Sequence, residues 1–112
     1  QNFRDLLARR SLFSFSVPQG TPVETLRKLP EQVRAIIEKT PKTRVERAHL
    51  CALRESGLEF EVVFHVLDSD YGVCMDRNQQ VLLGLLEAMR ADGIPLAQPT
   101  RVMIDAGRSV RG

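Results

Sequence analysis

From Leu58 to Val66 nearly every second residue is apolar: Leu58, Phe60, Val62, Phe64 and Val66. Glu59, Glu61 and His65 fill most of the places between. That period belongs to a strand with one buried face and one largely polar face. Asp68-Ser69-Asp70 interrupts it, and a helical pattern then runs to Ala91-Asp92-Gly93-Ile94-Pro95. A half-buried strand followed by a long amphipathic helix predicts a sheet covered on one side.

The same reading extends along the chain. Ser11 to Val17 is a first strand, with Phe13, Phe15 and Val17 on one face and Ser14 and Ser16 on the other. Pro18-Gln19-Gly20 breaks it. Thr21-Pro22-Val23-Glu24 predicts a helix start in which Thr21 and Glu24 cap reciprocally and Pro22 takes the first helical position. Val23, Leu26, Leu29, Val33, Ile36 and Ile37 form the apolar stripe of this helix. Pro30 lacks the amide that bonds the Leu26 carbonyl, so a kink or restart is expected there. Thr40-Pro41 ends the helix.

Thr43 to Leu53 reads as a second strand, joined to the third through the turn Arg54-Glu55-Ser56-Gly57. The second helix is expected from Ser69 to Asp92, with Tyr71, Met75, Asn78, Leu82, Leu85 and Met89 on its buried face. Gly93 stops it. Pro99 and Thr100 to Ile104 predict a short last strand, and Asp105 to Gly112 a tail or linker. Residues 11–104 therefore form one domain. Strand, helix, strand, strand, helix, strand is the split βαβ order of a ferredoxin-like α+β sandwich: an antiparallel sheet with both helices on one face. That fold hosts many functions and decides none of them.

Composition narrows the picture. The chain has 112 residues and a net charge of +2, too small to imply nucleic acid. Basic residues gather near the ends: Arg4, Arg9 and Arg10 at the front, Arg101, Arg108 and Arg111 at the back. The longest strongly apolar run, Val81 to Leu86, falls far short of the ~20 residues that a membrane-spanning helix needs. Cys51 and Cys74 both have apolar neighbours and are expected as buried free thiols.

Candidate chemistry is sparse. No phosphate loop, dinucleotide fingerprint, nucleophile elbow or His-Glu-x-x-His occurs. His49, Cys51, His65 and Cys74 are the possible metal ligands. With Ser56-Gly57 as the two turn residues, His49 faces Phe64 and His65 projects from the opposite side, so no four-ligand zinc site is expected. Asp68, Asp70 and Asp76 surround the start of the second helix, where carboxylates meet its positive end. Capping is their expected role. Asn78, inside an apolar stripe, is expected to hydrogen-bond across the layer between sheet and helix. The RNA-recognition module shares this element order but stacks bases on aromatics of the open sheet face. Here Phe13, Phe15, Phe60 and Phe64 belong under the helices, while Ser14, Ser16, Glu59, Glu61 and His65 take the open face. No catalytic, cofactor-binding or metal-binding residue is assigned, and no cofactor is implied.

The chain resembles the soluble C-terminal region of the small-conductance mechanosensitive channel family. Asn2-Phe3-Arg4 and Arg9-Arg10 resemble the family's Asn-Phe-Ser/Arg element and basic pair at the exit from a middle β domain. Phe13-Ser14-Phe15-Ser16-Val17 is similar to its first strand, and Thr21-Pro22 to Glu38 to its first helix. Leu53 to Leu58 is similar to its hairpin, Asp70-Tyr71 to Asn78 to its second helix, and Gly93-Ile94-Pro95 to its Gly-Ile-x-x-Pro ending. The family's Pro-Phe-Pro-Gln continuation is replaced by Pro95-Leu96-Ala97-Gln98-Pro99-Thr100, without the aromatic. The resemblance implies a piece of a multi-pass cell-membrane protein, usually a homo-heptamer. Residues 1–10 would then be a linker from the upstream β domain, and 11–104 part of the wall of a cytoplasmic vestibule that filters solutes. It implies no catalysis, no nucleic acid and no membrane insertion by this segment. Two other readings share the element order. One is a small-molecule-binding regulatory domain of the ACT type, approached at Pro18-Gln19-Gly20. The other is an assembly domain of a protein that is not a channel.

Overall fold

The computed structural model describes residues 8–104, with backbone alone for 98–103. The elements are β1 (Arg9–Val17), α1 (Val23–Lys39), β2 (Thr43–Arg54), β3 (Gly57–Val66), α2 (Tyr71–Ala91) and β4 (Gln98–Ile104). The strands form a sheet of order β2-β3-β1-β4 in which every neighbouring pair is antiparallel. This is the ferredoxin-like α+β fold that the element order predicts.

The period-two alternation places the core. Phe13, Phe15 and Val17 of β1 pair with Val62, Phe60 and Leu58 of β3, and all six are buried. The Phe15 and Phe60 rings stack with centroids 5.1 Å apart, and Phe64 meets Phe13 edge-on. Leu29, Val33 and Ile37 of α1 close this layer from above, beside Cys74, Val81, Leu85 and Met89 of α2. The two helices approach closely at Gly84, where an added Cβ would lie 2.8 Å from Ile36 Cγ2.

Several local details depart from the expectations. Thr21 does not cap α1. Its amide and hydroxyl both donate to the Pro18 carbonyl, at 3.0 and 2.7 Å, so it closes a turn. Pro22 is the N-cap, and its extended backbone delays the helix by one residue. Pro30 neither breaks nor restarts α1, which is one continuous 17-residue helix. Gly57 is not a turn residue. It opens β3 opposite Arg54, leaving Glu55-Ser56 as the turn. The position requires glycine twice over: φ is +150°, and a Cβ would fall 2.9 Å from the Val17 carbonyl.

Two bulges in β2, between Val45 and Arg47 and between Leu50 and Ala52, fit its 12 residues against the ten of β3. His49 therefore pairs with Glu61 rather than Phe64, and it shares the open face with His65. Cys51, carried by the second bulge, is exposed rather than buried.

Asp70 caps α2, accepting from the amides of Gly72 at 2.7 Å and Val73 at 3.4 Å. At the other end Gly93 adopts φ +70° and donates to Arg90, while Ile94 donates to Met89 at 2.8 Å. This is a Schellman stop with Ile94 folded back on the core. The buried stripe of α2 is Cys74, Asn78, Val81, Leu85 and Met89. The expected stripe began on Tyr71 and Met75, but these are about half exposed, at 49% and 51%.

Candidate functional site

Three surfaces carry the chemistry: the open sheet face, the entry to α2, and the apolar patches at the sheet's two edges. The open face is an ion-pair lattice. Arg10 and His65 are cross-strand partners, and His65 is in turn opposite Arg44. Glu46, the residue at the first bulge, accepts from Arg10 Nε at 3.2 Å and lies 2.9 Å from His65 Nε2. Arg47 reaches both Glu46 and Glu61, and Arg54 pairs with Glu59. The hydrogen bond from Arg10 holds the Glu46 carboxyl below its ordinary value, against a smaller opposing effect of burial. Val63 lies on this face, opposite Leu12 and Arg47, and is nonetheless fully buried. His65 Nδ1 is buried without a hydrogen-bond partner. Both signs alternate across the face. It offers no aromatic platform, because Phe13, Phe15, Phe60 and Phe64 lie in the core.

Of the three aspartates expected to cap α2, Asp68 and Asp70 do structural work at its entry and Asp76 does not cap it. Asp68 accepts from the Asp70 amide at 2.8 Å and from Lys42 at 3.0 Å. The first of these contacts, with the second, lowers its pKa. Asp76 lies further along on the exposed side of α2. Arg9 donates to the Ser69 carbonyl at 3.1 Å and stacks over Tyr71, 4.9 Å from the ring centre. That clamp ties the start of β1 to the start of α2. Asn78 accepts from the Ser11 hydroxyl at 2.7 Å and donates to the Cys74 carbonyl at 3.2 Å. This is the bond across the layer that its place in an apolar stripe predicts. Burial pushes the Cys74 thiol up, away from reactivity.

His49, Cys51, His65 and Cys74 are not brought together. The two histidines are on the open face, Cys74 is under α2, and no metal-competent group of three exists among the described residues. At Pro18-Gln19-Gly20, Gln19 donates to the Arg54 carbonyl, and a Cβ on Gly20 would meet nothing within 4 Å.

The apolar patches were not legible as sites. Met75, Leu82 and Leu83 of α2, with Ile104 of β4, Asn78 and Gln79, line an open groove of about 410 Å³. A second depression, of about 570 Å³, lies at the C-terminal end of α2 between Leu86, Met89, Ile94 and Leu96. On the β2 edge, Leu53 is 77% exposed and Leu50 is also exposed. The available signal was the excess of apolar residues on α2, more than one stripe can hold.

By sequence, no family profile and no curated protein matches the chain. By structure it is similar to MSL1 of Arabidopsis thaliana, a mechanosensitive channel, with TM-score 0.71, 14% identity and 85% of this chain covered. A variant of MSL1 gives 0.72 at 12% identity, again over 85% of the chain. The oxygenase SnoaB of Streptomyces nogalater, described as cofactor-independent, is similar at TM-score 0.50 and 16% identity, over 88% of this chain and 90% of its own. The chain spans little more than a third of the MSL1 chains it matches, 37% and 35%. No described helix is long and apolar enough to cross a membrane. At these identities the likeness is one of fold: the chain is a ferredoxin-like α+β unit similar to part of a mechanosensitive channel.

Proposed function

We propose that this chain is a wall element of the cytoplasmic vestibule of a mechanosensitive channel. Its parent would be a multi-pass protein of the cell membrane assembled as a homo-oligomer, a heptamer on the family pattern. Residues 1–10 would lead in from an upstream β domain, and 105–112 would lead out. The domain's work is assembly and the electrostatic lining through which solutes pass, without catalysis. The single observation that carries this reading is the similarity to MSL1 over 85% of the chain. The surfaces support it. The open face is ionic but self-compensated, which suits a wetted wall. The apolar patches suit contacts between subunits.

The test is expression of the complete parent reading frame in cells lacking their own mechanosensitive channels. Patch-clamp recording is expected to show tension-gated currents, and the cells should survive osmotic downshock. A parent without apolar segments of about 20 residues, or one fused to a soluble enzyme, refutes the reading.

A further inference from the structure

We propose that β4 is a releasable strap: tension applied through the two ends of this chain peels β4 from β1 and lengthens the domain, while the sheet β2-β3-β1 and both helices stay folded. The inference goes beyond the vestibule reading and rests on the sheet topology alone.

β1 and β4 are antiparallel neighbours, and their register sets Ser11 opposite Ile104. The chain therefore enters β1 and leaves β4 side by side, at one end of one ladder. Tension between these two points pulls across the ladder, in the direction of its hydrogen bonds. Such a load breaks the bonds one after another from the open end rather than all together. The two strands are held unequally. β1 lies inside the sheet, paired with β3 from Arg9↔Val66 to Val17↔Leu58, and its Phe13, Phe15 and Val17 are core. Its entry is also pinned, since Arg9 donates to the Ser69 carbonyl and lies over the Tyr71 ring. β4 is an edge strand. Its unbroken pairing with β1 runs only from Ile104 to Arg101, and the register shifts before Gln98. Pro99 falls in that shift and has no amide to give. Ile104, the first residue to part, is only partly buried.

The peel stops where the chain is anchored again. The Ala97 amide donates to the Ser16 carbonyl at 2.8 Å, and Ile94, 7% exposed, is folded onto the core. Release of Gln98–Ile104 frees 7 residues, which extend to about 24 Å. Ala97 lies beside Ser16, far along β1 from Arg9, so the load then also spans about 23 Å of folded strand. With the two ends about 5 Å apart at the start, the domain lengthens by roughly 40 Å. Tension now runs along β1, parallel to its ladder with β3, and loads those hydrogen bonds together. The released state resists further unfolding for that reason: β4 yields first and the rest of the domain holds.

Single-molecule force spectroscopy on the 112-residue chain, with handles at Gln1 and Gly112, tests this. Slow pulling is expected to show a reversible step of roughly 40 Å at a force several-fold below that at which the domain unfolds. This first reading needs no variant. A staple supplies the second. In a Cys51→Ser background, Leu12→Cys and Met103→Cys put cysteines at paired positions of β1 and β4, at a separation that a disulfide spans. Oxidation should abolish the early step and leave one unfolding event, and reductant should restore the step. An unmodified chain that unfolds in one event overturns the proposal. So does an early step that persists in the oxidised staple. An early step much longer than roughly 40 Å also overturns it, because α2 would then be leaving with β4.

Discussion

The buried pair Ser11–Asn78 gives the sharpest energetic test of the layer between β1 and α2. Ser11 is fully buried and Asn78 is 4% exposed, so neither can turn to water. Replacing Asn78 by Leu removes the acceptor of the Ser11 hydroxyl and leaves a buried donor unpaired, at a cost of about 1–3 kcal/mol. Ser11→Ala leaves the Asn78 carbonyl oxygen unpaired, at a similar cost of about 1–3 kcal/mol, although Asn78 Nδ2 still donates to the Cys74 carbonyl. The double variant leaves no orphan and adds apolar contact, so it should cost less than the two singles summed by at least about 1 kcal/mol. Non-interacting sites would add to within about 0.5 kcal/mol. The assay is urea unfolding of the four proteins with a common m-value. Additive single costs would refute the argument, because they would mean that the hydroxyl has another acceptor within reach.

Three further outcomes follow from particular contacts. Gly84→Ala should destabilise by about 1–3 kcal/mol, because its Cβ meets a methyl of Ile36 at 2.8 Å, and Ile36→Ala should relieve much of that clash; urea midpoints that do not respond to the second change would show that the helices simply part. Asp70→Ala should cost about 0.5–2 kcal/mol by freeing the Gly72 and Val73 amides, and Asp70→Asn should restore most of it in the same assay. Glu46 is ionised more readily in the folded state than in the unfolded one. It therefore contributes stability that is present above its unfolded pKa, near 4.5, and is lost as pH falls through the lower folded value. Glu46→Gln should flatten the acid limb of stability against pH in urea titrations, and an unchanged limb would refute the assignment.

The fold was legible because its strands are buried on one side alone. The alternation of Phe13-Phe15-Val17 and of Leu58 to Val66 allows one face to be core, and a slip by one residue would bury Glu59 and Glu61. The helix stop at Gly93 and the capping role of Asp70 were equally plain, since each is a local rule acting on local residues. What was misread depended on contacts distant in sequence. Gly57 looks like a turn glycine until the end of β1 and Ala97 are seen packed against it. The β2 bulges leave no mark in its residues, so the faces of His49 and Cys51 came out wrong. The buried face of α2 was misplaced because apolar residues lie on two of its sides, and only its seat on the sheet separates the core stripe from the outward one. That outward stripe lines the groove between α2 and β4.

The bulges on β2 bear on more than register. Proteins held at high local density risk templating one another's exposed strand edges into open-ended fibres. With its ladder interrupted at two points and Arg44, Glu46 and Arg47 crowded near the first, this edge cannot present an unbroken run of backbone donors and acceptors to a neighbour. A neighbouring strand could therefore add to β2 over short runs at most.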